Sequence, residues 1–208
     1  AVGALDSEAS VAALTDVATW KPFVDSNADG NAFPDGRVAL GIGGHWNYPA
    51  YSEALGDDLL VMPLPDFGNG PKAGAGSLTW GIGAGTDDGS AAGAFLDYLL
   101  NDDNVTAMTQ ANGAPPATAS AFAADPLYKE GGPLALFGEQ LANSCASDAI
   151  TDGCVAVYRP LTPGYPTVTS QFASALSSVW GGSAPLKTLQ DAATTIDQNF
   201  ADNDGYQQ

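Results

Sequence analysis

LLVMPLP, residues 59–65, is the stretch that decides the fold class. It is an uninterrupted apolar run of strand length, closed by Pro63 and Pro65, and it reads as a buried strand. Working outward, residues 49–55 read as a short helix before it, and 37–43 (RVALGIG) as a second buried strand. After it come a Gly/Pro/Asn-rich loop at 66–77 and a third strand at 78–84 (LTWGIGA). Residues 90–100 (SAAGAFLDYLL) then form an amphipathic helix with Ala94, Phe95, Tyr98 and Leu99 inward. Towards the start, 7–21 is a helix with Val11, Leu14, Val17 and Ala18 on one face, ended by Pro22. Towards the end, Asp102 or Asp103 caps a helix running to about residue 111, and the NGAPPA turn at 112–117 stops it. Helices at 118–124 and 133–143, a short strand at 155–158, and helices at 167–180 and 185–200 complete the chain. Strands separated by helices define an α/β fold. No repeat and no linker divides the chain into independent domains.

The 208 residues are 45% apolar, enough for a packed core, and no apolar run approaches the roughly 18 residues of a membrane span. Residues 1–6 have neither a basic start nor a long apolar region, so no signal peptide is read there. Six Lys+Arg face 24 Asp+Glu, for a net charge of −18. Such a surface repels phosphate backbones, which argues against nucleic acid as a partner. Only 14% of residues are charged, a composition that suits neutral polar ligands better than anions. A generally acidic set of exported proteins would give the same balance.

Cys145 and Cys154 bracket a short polar loop, NSCASDAITDGC. No third and fourth ligand stands near them, so zinc is not indicated. A disulfide and an oxidising compartment are expected.

The chemistry of an enzyme is hard to assemble. His45 is the only histidine, which leaves no confident Ser-His-Asp set. Carboxylates are plentiful, yet most sit in turns and caps, and nothing selects a glycosidase pair. GIGAG at 81–85 follows a strand as a nucleotide-binding turn would, but no Gly-Lys-Ser/Thr follows, and Asp87 and Asp88 occupy the place where phosphate needs positive potential. Asp25, Asn27 and Asp29 stand at alternate positions before Gly30, as in the first half of a calcium loop. The twelfth position is Gly36, with Asp35 one residue early, so the loop is a half-match and calcium is the one candidate cofactor.

Five stretches in order resemble the family 1 extracellular solute-binding proteins, the maltose-binding-protein-like receptors of ABC importers. They are FPDGRVAL at 33–40 followed by GGHW at 43–46, DLLVMPLP at 58–65, SLTWGIG at 77–83, AFLDYL at 94–99 and NGAPPA at 112–117. RPLTPGYP at 159–166 resembles the actinobacterial members in particular. The resemblance implies a partial type II periplasmic-binding-protein-like fold. Family members have two α/β lobes on a hinge and are about twice this long. Residues 1–75 would belong mainly to the C-terminal lobe, 76–125 would cross the hinge into the N-terminal lobe, and 126–208 would mainly return. An N-terminal half of the same protein, with its signal peptide and lipid anchor, would hold the receptor to the outer face of the membrane. The partners implied are a carbohydrate, the permease subunits of an ABC importer, and that N-terminal half.

A sugar offers apolar C–H faces and a rim of hydroxyls, so its site needs aromatic planes and planar polar groups. Trp46 follows a strand end, where α/β folds bind ligands, and the resemblance makes it the stacking residue, with His45 and Asn47 beside it. A core tryptophan at a strand end is the alternative. Trp80, with Thr79, lines the cleft by resemblance or packs within its strand. Arg159 could grip paired hydroxyls or serve an ion pair. Phe172 is a second stacking aromatic or a core residue beside Val168. Asn112 reaches a hydroxyl or caps the preceding helix. The expected function is capture of a neutral di- or oligosaccharide for import, without catalysis. A secreted glycan-active enzyme or an accessory carbohydrate-binding domain is the competing reading.

Overall fold

The computed structural model describes residues 1–27, 29–68, 70–76, 78–146 and 149–206. Its elements in chain order are α1 (Glu8–Thr19), α2 (Tyr48–Leu55), β1 (Ala73–Ala75), α3 (Gly89–Leu99), α4 (Asp102–Asn112), α5 (Ala119–Ala124), α6 (Ala135–Ala142), β2 (Ala156–Tyr158), α7 (Tyr165–Trp180) and α8 (Pro185–Asp202). Helices dominate, joined by a small parallel sheet, an α/β composition compatible with part of a periplasmic-binding-protein-like fold. The chain divides into two compact units, Ala1–Ala28 with Pro160–Gln208, and Asp29–Arg159.

The first unit is a packing of α1, α7 and α8. Ser7 caps α1 by accepting from the Ser10 amide, which satisfies one of the helix's unpaired N–H groups. Leu14, Ala175, Val179, Leu189 and Ala192 form its buried core, with Val11 and Ala18 packed against it. The stripe read on α1 is thus the buried one. In α8, Leu189, Ala192, Ala193 and Ile196 recur at helical spacing, and the alanines let neighbouring backbones approach closely. Lys21 Nζ donates to the Trp180 carbonyl at 2.8 Å, tying the end of α1 to the end of α7.

The second unit holds the sheet. β1 and β2 run parallel, with Ala73 opposite Ala156 and Ala75 opposite Tyr158. Cys145 and Cys154 are joined, both are buried, and the bridge stands directly before β2. The Cys145 amide donates to the Ala156 carbonyl at 2.8 Å. Lys72 Nζ donates to the carbonyls of Cys154 (2.9 Å) and Asp152 (3.4 Å), so the residue preceding β1 clasps the disulfide loop. Replacing both cysteines by serine is expected to lower stability by about 2–3 kcal/mol, as the sequence separation of 9 suggests. Denaturant unfolding of the oxidised protein and the double variant checks it, and two reactive thiols in protein from an oxidising compartment would contradict it. Elsewhere in this unit Asp102 accepts from Thr118 Oγ1 (2.7 Å) and from Ser120, joining the first turn of α4 to the start of α5. Gly138 lets α6 lie against the Phe122 ring, since a Cβ there would fall 2.7 Å from it.

Several sequence expectations are corrected. Segments 37–43, 59–65 and 78–84 carry no sheet pairing, and Leu40, Ile42, Leu60, Met62, Leu78 and Trp80 are exposed. An apolar pattern supplies strand propensity, but a strand exists only beside a partner, and none lies beside these runs among the described residues. β1 falls inside the 66–77 stretch read as loop, because its Ala-Gly-Ala has no β-branched signal and owes its state to β2. Asn101, rather than Asp102 or Asp103, caps α4 by accepting from the Asn104 amide. The face of α3 read as inward is open, with Phe95 and Tyr98 exposed.

Candidate functional site

His45–Asn47 form one 3-10 turn that runs into α2, with a proline at the start of that helix. The Gly44 amide donates to Asn47 Oδ1 at 3.1 Å, and the Asn47 amide donates to the Gly44 carbonyl at 3.0 Å. The two bonds lock the turn. The preceding glycines are needed for their lack of a side chain. A Cβ on Gly43 would lie 2.7 Å from Asn47 Oδ1, and one on Gly44 would lie 2.4 Å from the Trp46 ring. The indole therefore lies on bare backbone. Its outer face is open, since Trp46 is 66% exposed.

Behind Trp46 stands His45. Their rings meet edge to face at 5.1 Å, and His45 meets Phe137 of α6 in the same way at 6.1 Å. Gly113, the left-handed residue that ends α4 (φ 66°), is pressed against this turn. A Cβ on it would lie 3.1 Å from Pro49 and 3.2 Å from the His45 carbonyl. The Tyr128 hydroxyl donates to the Gly113 carbonyl from a buried position. Burial, then the nearby Asp125 carboxylate, push the Tyr128 pKa upward, so the hydroxyl stays protonated and remains a donor. Burial also holds the His45 pKa below its ordinary 6.5, although the Gly113 backbone favours the charged ring.

Asn112 is brought to this turn through Gly113, and its Oδ1 accepts from the Ala114 amide at 2.8 Å. Thr79 and Trp80 are exposed on the unpaired 78–84 run, with no hydrogen bond or ring contact to the His45 turn among the described residues. Arg159 follows β2 and is exposed, its guanidinium lying beside the Gly76 backbone. Phe172 lies on α7 in the other unit and is 44% exposed. Sequence reasoning did not find Gly113, Tyr128 or Phe137. They lie about 65 to 90 residues from His45, and no spacing rule joins such positions.

The half calcium loop divides between the units. In the first, Asp25 accepts from the Asn27 amide at 2.8 Å. In the second, Asp29 and Asp35 each take a nitrogen of the Arg37 guanidinium at 2.6 Å. A guanidinium therefore already supplies positive charge to Asp29. Among the described residues no three His, Cys, Asp or Glu side chains are grouped to hold a metal ion.

A family model described as bacterial extracellular solute-binding protein matches residues 2–133, and the chain belongs to that family. The match takes in the His45 turn, the Gly113 turn and Tyr128. No curated protein matches the chain at a significant level. Membership gives it the role of a transporter's substrate-binding component, in a family generally without enzymatic activity, and an extracellular or periplasmic location. No helix among the described residues is long and apolar enough to cross a membrane.

Proposed function

We propose that this protein captures a neutral di- or oligosaccharide outside the membrane and delivers it to the permease of an ABC importer, as a maltose-binding-like receptor. The observation that carries the reading is the Trp46 indole, laid on the Gly44 backbone and 66% exposed. A flat, rigid aromatic surface is what the C–H face of a sugar ring requires. Asn47, Asn112, Thr79 and Arg159 would supply groups for the hydroxyl rim, and Trp80 further apolar surface; Phe172, on the other unit, is proposed as a stacking aromatic on its own account. His45 would back the stacking residue.

The open apolar runs at 37–43, 59–65 and 78–84, with Phe95 and Tyr98, support a second element of the reading. Apolar surface on this scale calls for cover. We assign that cover to a further stretch of the same protein, the other half of a hinged two-lobe receptor. The lobe boundaries near 75 and 125 and a lipid anchor on that stretch belong to the same proposal.

A thermal-shift screen of the complete protein against maltose, maltotriose, cellobiose, xylobiose and trehalose tests the reading. A rise in melting temperature with at least one, and no release of monosaccharide from any, is the expected result. Cleavage that survives repurification would replace the receptor by a glycan-active enzyme. Stabilisation only by amino acids or anions would remove the sugar.

A further inference from the structure

His45 is placed between the candidate stacking residue and the framework that carries it. Its ring meets both Trp46 and Phe137 of α6 edge to face. Its backbone carbonyl faces Gly113. Its Nδ1 is buried, with no partner in hydrogen-bond geometry. A neutral imidazole tolerates that position because Nδ1 can remain an unprotonated acceptor. A protonated one would carry an N–H there with no partner in hydrogen-bond geometry; the Gly113 backbone favours the charge, but its carbonyl already accepts from the Tyr128 hydroxyl and burial outweighs it, a cost that water outside the turn would relieve.

We propose that His45 is a positioning residue for Trp46, and that its protonation frees the Trp46 turn from the Gly113 and Phe137 framework, so that solute affinity falls as pH falls. The inference rests on the reading of Trp46 as the stacking residue. The elements packed on the imidazole carry Tyr48, Tyr51 and Glu53 on α2, Glu139 on α6, and Tyr128 and Asp125 behind the Gly113 turn. None of these sets the charge of the ring; loss of water and the Gly113 backbone do. Tyr128, its pKa raised, stays protonated through the acid range and keeps the Gly113 carbonyl in place while His45 changes state.

The sign follows from the direction of the shift. The His45 pKa in the fold is lower than 6.5, so between that lower value and 6.5 the unfolded chain binds more protons than the folded one. The stability of the turn is complete above 6.5 and erodes as pH falls towards the lowered value.

Since His45 is the only histidine of the 208 residues, its imidazole signals can be followed by NMR and identified by their loss in His45→Gln. The expected result is a midpoint below 6.5, with the Trp46 indole N–H signal, identified by its loss in Trp46→Phe, moving at the same midpoint. A Trp46 signal that ignores the histidine midpoint overturns the proposal. Should His45→Gln fail to fold, the match of midpoints within the wild-type chain decides, with His45→Asn as the second variant. In the complete protein, maltotriose affinity is expected to fall by about fivefold or more between about pH 7.5 and about pH 5, and to stay level in His45→Gln. Coupled NMR midpoints with level wild-type affinity also overturn it. Coupled midpoints without maltotriose binding at either pH uphold the positioning role and refute the choice of sugar.

Discussion

Replacing Trp46 by alanine is expected to weaken sugar binding by the complete protein about tenfold to a hundredfold, on the order of 1–3 kcal/mol, and to leave its melting temperature nearly unchanged. The stacking magnitude is that of bases on aromatic side chains, carried over to a sugar face. The melting result follows from exposure, because an indole that is 66% exposed has little packing to lose. A buried tryptophan would instead cost about 3–5 kcal/mol of stability on truncation. Calorimetric titration and thermal melting of both proteins, side by side, separate the two roles. Unchanged affinity, or a collapsed melt, would remove Trp46 from the site. Gly44→Ala should mimic the loss from the other side, since its Cβ would enter the space of the ring and force the indole off the backbone.

Leu189→Ala is expected to do the reverse, lowering stability by about 2–5 kcal/mol with no direct effect on the stacking surface. Leu189 is 1% exposed and sits in the core with Leu14, Ala175, Val179 and Ala192. Removing its side chain leaves a cavity that two alanines and a valine on rigid helices cannot collapse into. Urea unfolding measures it, and a loss under about 1 kcal/mol would mean that the bundle repacks around the gap.

The helices of both units were legible because their signals are local. Val11, Leu14 and Ala18 on one stripe, the stop at Pro22 and the NGAPPA turn each act within a few residues of themselves. The family was legible for a similar reason, since short motifs keep their order. Of the sheet, β2 was read at 155–158, but β1 and the pairing were not, because pairing joins Ala73 to Ala156 across a long separation that no propensity encodes. Of the candidate site, the Gly43-Gly44-His45-Trp46 turn could be read, with its glycines taken to let a ligand approach the backbone; that the indole itself lies on Gly44 could not. The Gly113 and Tyr128 framework behind it could not, since a carbonyl's partner leaves no trace in composition. Phe95 and Tyr98 show the limit from the other direction. Their spacing predicts a buried face, and the structure leaves that face open, because periodicity shows which side is apolar and not whether anything lies against it.

A pair of three-residue strands rich in alanine has almost nothing with which to hold itself together. β2 is held opposite β1 by backbone bonds such as the Ala73 amide on the Val155 carbonyl, and by Lys72, which grips the ring closed by Cys145 and Cys154. The closure of the loop before β2 is thus conditional on the redox state of its surroundings. Inside a reducing cytoplasm the ring would stand open, and Lys72 would grip a loop no longer tied back on itself. Export would then close the ring as well as relocate the protein, so that this one covalent tie is made only at the address where its solute is found.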